Sequence, residues 1–228
     1  MTETTDQTAT QTPPGADPAE RLRPIRELVL SMGDEVDRAI SEASAGLVGR
    51  DVDLCTKVIE EDSRVDGLLV EVRELSLSTL EEGPPETQLR EVIGLLHMAN
   101  ELERMADHCV NIARIGRELA ERPPLGTYID IPQLSTACAA QVRDMLAALI
   151  SRDAQRARAI AARDDRVNRI HHRIVDDLVQ LMAEYGDTVY RGVQLVLASQ
   201  NYERIGDRVT NLAEDLVFLE SGNIEDLG

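Results

Sequence analysis

Glu103-Arg104-Met105-Ala106-Asp107-His108-Cys109-Val110-Asn111-Ile112-Ala113 returns one hundred residues later as Glu203-Arg204-Ile205-Gly206-Asp207-Arg208-Val209-Thr210-Asn211-Leu212-Ala213. Glu, Arg, Asp, Asn and Ala keep their places, and the remaining positions stay mostly apolar. Upstream, Arg50-Asp51 answers to Arg152-Asp153, and Asp62-Ser63-Arg64-Val65 to Asp164-Asp165-Arg166-Val167, now at an offset of 102. The two-residue slip falls between the second and third helical segments of each half, where a turn absorbs it. A self-similarity this long marks an internal duplication.

Each half carries three helical patterns. In the first they run from about 17 to 48, from 51 to the breaker Gly83-Pro84-Pro85, and from a cap at Thr87 to about 121. In the second they run from about 132 to 151, 153 to 184, and 187 to 220. Short connections force antiparallel neighbours. The expected fold is therefore all-α, two tandem antiparallel three-helix bundles. The expected organisation is a disordered acidic tail over 1–16, a first bundle over 17–122, a linker rich in Pro and Gly over 123–131, a second bundle over 132–222 and a tail over 223–228.

Composition agrees with helices. The chain has 228 residues and is 43% hydrophobic but only 2% aromatic, so its core is built from aliphatic side chains, a mixture that suits helices over aromatic-rich sheets. A formal net charge of −18 repels phosphate backbones and anionic headgroups, which argues against nucleic-acid binding and against membrane insertion. Cys55, Cys109 and Cys138 are far apart with no Cys-x-x-Cys, as expected of reduced thiols in the cytoplasm. No nucleophile motif or phosphate-binding Gly-rich loop is present, so an enzyme is not expected.

Successive helical residues turn by about 100°, which places Leu95, Ala99, Leu102, Ala106, Cys109 and Ala113 on one core stripe. Glu103, Asp107 and Asn111 share a second stripe towards the outer face, and Glu203, Asp207 and Asn211 repeat it. Two carboxylates four apart repel by a few tenths of a kcal/mol, which a cation would cancel. Oxygen-only donors suit Mg²⁺, Ca²⁺, Mn²⁺ or iron. The alternative is a solvated acidic face with Arg104 and Arg204 as local counter-charges. Glu101, His97 and His108 form a different stripe, read as a helix-contact or solvated face because Asn201, Leu197 and Arg208 replace them in the second half. Asp62 and Asp164 sit on inward-facing positions, with an ion pair to an arginine such as Arg90 favoured over a reach to the acidic stripe. His171 is read as a satisfied core histidine.

With these residues in hand, the chain resembles the PhoU family from about Ile25 to Gly222. The motifs are the twice-occurring Glu-Arg-x-x-Asp-x-x-x-Asn-x-Ala, Leu89-Arg90, the acids around Asp62 and Asp164, and Phe218-Leu219-Glu220-Ser221-Gly222. The resemblance implies two three-helix bundles and surface clusters of iron or other divalent metals on Glu103, Asp107, Glu203 and Asp207, with less weight on Asn111 and Asn211. It also implies an adaptor that restrains the phosphate-starvation response, with the phosphate transporter ATPase and a sensor histidine kinase as partners. The oligomeric state is left open, a homodimer included. Arg208 departs from the family's common His, Gln88 from its common Asp, and the N-terminal tail is an addition.

Overall fold

The computed structural model describes residues 18–125, 129–163 and 165–228. The expected tail over 1–16, the Asp17 cap and Asp164 lie outside the described residues. Among those described there is no strand. Helices α1 (Pro18–Arg21), α2 (Arg23–Gly49), α3 (Val52–Glu81) and α4 (Glu86–Ala120) make the first bundle; α5 (Ile131–Ser151), α6 (Ala154–Ala161), α7 (Asp165–Glu184) and α8 (Val189–Ser221) make the second.

Local chemistry sets the boundaries. Arg50 and Arg152 end α2 and α5 in the left-handed conformation (φ 56° and 54°), and each is followed by an Asp that opens the next helix. The Asp51 carboxylate accepts from the Leu54 amide at 2.9 Å, and Asp153 accepts from Arg156 at 2.9 Å. The repeated Arg-Asp pair is thus a repeated corner: a residue that stops one helix and a side chain that caps the next.

Three expectations are corrected. The first helix is interrupted at Leu22, and Pro24, which lacks an amide proton, sits in the opening turn of α2. Thr87 does not cap α4: the helix starts at Glu86 behind Pro85, which supplies extended geometry without a side-chain bond. The segment expected as one helix over 153–184 is two. Ala162 closes α6 with its amide on the Arg158 and Ile160 carbonyls, and α7 restarts at Asp165.

The halves are not separate beads. One continuous apolar core runs from Leu22 through Met105, Ile131 and Tyr202 to Val217. Helix α4 packs on α2 and α3 of its own bundle and on α8 of the other, and α2 also packs on α5. The linker is tied down at its start, where Arg191 donates to the Pro123 and Pro124 carbonyls at 3.1 and 3.2 Å. No helix is long and apolar enough to cross a membrane among the described residues.

The backbones of α2 and α4 come close at Gly116. A Cβ on Gly116 would lie 3.0 Å from the Leu47 Cα and 2.8 Å from the Cys55 sulfur, whereas one on Gly67, mid-α3, would meet nothing within 4 Å. Gly116→Ala should therefore cost about 1–3 kcal/mol through overpacking. Gly67→Ala should add up to about 1 kcal/mol through helix propensity. Urea unfolding of both variants checks the opposite signs.

Candidate functional site

The two final helices present matching burial patterns. Leu102, Met105, Ala106, Cys109 and Val110 are buried on α4, as are Tyr202, Ile205, Gly206, Val209 and Thr210 on α8. Glu103 and Glu203 are half-buried, and Asp107 and Asp207 exposed. The sequence expected Glu103, Asp107 and Asn111 to act together, but the structure separates them.

Glu103 and Asp107 turn towards α3 and form an acidic cluster with its Asp62 and Asp66. Burial, then repulsion from Asp66, Asp107 and Glu103, pushes the Asp62 carboxyl up to about 6, with Arg114 offsetting part of it. Burial and the charges of Asp107 and Asp66 raise Glu103 as well. None of these four acids forms an ion pair among the described residues. The expected Arg90 partner is elsewhere: it reaches Glu86 at 3.4 Å and lies over the Phe218 ring. Asp62 therefore faces the acidic stripe of its own half, the alternative the sequence reading had ranked second. Asp66 was missed, although it stands four residues after Asp62 on the same helix face.

The second half is not an equal copy. Burial raises Asp207, while Arg208, Arg204 and His108 pull it down. At the offset of 102, Asp66 is answered by the neutral Asn168, and Asp62 by Asp164 outside the described residues. As the side chains stand, no three of His, Cys, Asp or Glu among the described residues converge closely enough to hold a metal ion. The donor chemistry suits a hard cation and the mutual repulsion would be relieved by one, but the first-half acids form an open cluster rather than a closed coordination sphere.

Asn111 and Asn211 point the other way, into the seam between α4 and α8. Glu101 is 5% exposed there, accepting from Asn211 Nδ2 at 2.8 Å and from Arg208 Nη1 at 3.3 Å. The repeat-related set lies beyond it: His108 Nδ1 donates to Asn201 Oδ1 at 3.0 Å, and Asn111 Nδ2 approaches the same oxygen at 3.5 Å. Adding one hundred turns Glu101 into Asn201 and His108 into Arg208, so α4 and α8 are antiparallel and related by a pseudo-two-fold axis. Farther along, His97 Nδ1 meets Asp215 at 2.8 Å. That bond raises His97, while burial pushes Asp215 up to about 6 against the opposing pull of His97. The stripe read as helix contact is the polar joint of the molecule. His171, half-buried, meets Ser199 Oγ at 3.0 Å, as a satisfied core histidine should.

Two outcomes test this geometry. Because Asp62 ionises less readily folded than unfolded, the native state holds a proton between about pH 4 and 6 that the unfolded chain releases, so stability falls as pH rises through that window. Asp62→Asn should stabilise the protein at pH 7 by about 1 kcal/mol after solvent screening, and not at pH 4, in thermal melts across that range. Glu101→Ala leaves Arg208 and Asn211 without their acceptor in the seam and should cost about 3 kcal/mol in denaturant unfolding.

Comparison with known proteins agrees with this architecture. The family model described as the PhoU domain matches twice, over residues 29–116 and 131–216. The phosphate-specific transport system accessory protein PhoU homolog of Aquifex aeolicus is 31% identical over 206 residues, 90% of this chain and 93% of that protein. Its Zymomonas mobilis counterpart is 28% identical over 89% of this chain and 86% of its own length. The crystal structure of PhoU from Pseudomonas aeruginosa superimposes with a TM-score of 0.86 at 26% identity, covering 91% of this chain and all of that one. PhoU from Streptococcus pneumoniae, 24% identical with a TM-score of 0.84, shares the fold. With both halves of the chain matched by the family model and the solved fold shared over 91% of its length, this protein belongs to the PhoU family.

Proposed function

We propose that this protein is an accessory regulator of phosphate-specific transport, acting in the cytoplasm as a non-enzymatic adaptor between the transporter ATPase and a sensor histidine kinase. The observation that carries the reading is the match of both PhoU domains together with relatives named as accessory proteins of that transport system. The fold supports an adaptor: its two bundles are locked by the α4–α8 joint and the shared core into one rigid support with outer faces left over.

Metal binding is the finer part of the proposal. Glu103 and Asp107 with Asp62 and Asp66 would hold a divalent cation or iron in the first half, and Glu203 and Asp207 would do so in the second. A bound cation would supply neutralising charge. The protein's own contribution is to gather four carboxylates whose charge Arg114, Arg104 and Arg73 offset only in part, so that Asp62 and Glu103 hold protons more tightly than ordinary acids. The first half should bind more tightly, since it carries Asp66 where the second has the neutral Asn168. The absence of any converging triad among the described residues favours a second reading, a metal-free helical interaction module.

Deleting the gene should raise phosphate uptake and starvation-gene expression in phosphate-replete cells, and unchanged expression would overturn the regulatory reading. Pull-down from the same cells should recover the transporter ATPase or the kinase. Titration of the chelated protein with Mn²⁺ or Mg²⁺ should show saturable binding that Glu103→Ala weakens about tenfold or more, the loss expected when an ion-binding contact of about 1.4 kcal/mol or more is removed. Undiminished partner capture by chelated protein, with no saturable binding, would establish the metal-free reading instead.

A further inference from the structure

Beyond α8 the chain turns back on itself. Gly222 closes the helix in the left-handed conformation (φ 75°) with its amide on the Phe218 carbonyl, and residues 223–228 continue without forming a helix. They run antiparallel to α8. The Leu227 amide donates to Glu214 Oε1 at 2.9 Å, and one turn further back along α8 a Cβ on Gly228 would lie 3.1 Å from the Thr210 Cγ2. From the neighbouring helix α6, Arg158 grips Glu225 with two parallel bonds, Nη2 to Oε1 at 2.6 Å and Nε to Oε2 at 2.8 Å. Leu227 packs against the edge of the core. Glu225 and Leu227 are half-buried while Ile224, Asp226 and Gly228 are exposed, the alternation of an extended peptide laid along the seam of α6 and α8.

The first bundle lacks the gripping groups. At the repeat offsets of 102 and 100, Thr56 answers to Arg158 and Arg114 to Glu214, so a carboxylate there would lose its fork and an amide its acceptor. The stretch that follows α4 is held elsewhere, its Pro123 and Pro124 carbonyls on Arg191. In the second bundle the grip is specific but shallow. The Arg158 and Glu225 side chains are 38% and 36% exposed, so water and salt weaken the pair, and Ile224 beside them is 91% exposed. Such a hold leaves residues 223–228 exchangeable with another peptide that offers the same groups.

We propose that the seam between α6 and α8 is a docking site for an extended Glu-x-Leu peptide of a partner protein, and that residues 223–228 occupy it as a resident competitor. Arg158 reads the carboxylate through its planar fork, Glu214 takes the amide two residues on, and the leucine enters the edge of the core. A tethered occupant acts at an effective concentration on the order of millimolar, so it excludes weak ligands and yields to those that bind better. The site stands apart from the acidic stripes and needs no metal.

Fluorescence anisotropy with a labelled, end-blocked Asn-Ile-Glu-Asp-Leu-Gly peptide tests the site on the intact protein and on a form lacking residues 223–228. Saturable binding to the shortened form is expected, about tenfold or more tighter than to the intact one. R158E in the shortened form should abolish it, and a peptide with Arg in place of Glu should bind that variant instead. The full-length variant E225Q/L227S opens the seam without shortening the chain and should match the shortened form, which covers the case in which the latter does not fold. Thermal melts confirm that each protein used is folded. Peptides selected from a random library on the opened seam should share Glu-x-Leu. No binding to the opened protein would overturn the proposal, as would equal binding to the intact one or a selected set without the pattern. A dimer in light scattering that disappears when residues 223–228 are removed would give the seam to a second copy of this chain and overturn it too.

Discussion

A carboxylate buried between two helices must be answered, and Glu101 is the charge on which the assembly of this protein turns. Its partners, Arg208 and Asn211, come from the other half of the chain. An unanswered buried charge is far costlier than a missing apolar contact, so the joint sets register as well as affinity: sliding α8 by one turn would strand Glu101 and separate His97 from Asp215. The pseudo-symmetric set, His108 with Asn201 and Asn111, repeats the geometry with neutral groups. One side of the joint is charged and the other is not, which is how a duplicated chain distinguishes its two halves while keeping their common packing.

Much of the architecture was legible before any coordinates. The repeat at offsets of 100 and 102 implied two bundles, and the Arg-Asp corners at 50–51 and 152–153 proved to be real structural units rather than coincidences of composition. The apolar stripe of α4 was read correctly because a period of 3.6 residues is a local property. What escaped the reading was relational. Asn111 shares a stripe with Glu103 on a helical wheel, yet a wheel does not show which neighbour covers each edge. The structure gives Glu103 to α3 and Asn111 to α8. The replacement of Glu101 and His108 by Asn201 and Arg208 pointed to a helix-contact or solvated face, and the contact is what the structure has: Glu101 meets Arg208 while His108 meets Asn201. The break between α6 and α7 was missed because its twin, α3, is continuous through the same place.

The halves share a skeleton but have diverged in what they show to solvent. In the first, the outer helix α3 gathers Asp62 and Asp66 against Glu103 and Asp107. In the second, the matching helix replaces Asp66 by Asn168 and adds Arg169 and Arg173. Core positions tolerate little change because each buried side chain touches many others, whereas exposed positions on the same helices are free to change sign. A duplicated scaffold thus carries two surfaces of unlike chemistry without altering its fold.

Helix α3 packs on α2 and α4 of the first bundle, and α7 on α5 and α8 of the second. Acid gathered on α3 and arginine carried by α7 leave the surface charge uneven in addition to its overall negative sign. An unevenly charged body feels a torque as it nears a charged surface, and encounters become orientationally selective before any contact forms. Raising the ionic strength shortens the reach of that torque to about 10 Å or less, so its influence on association rate fades with salt while the packed interior is left untouched.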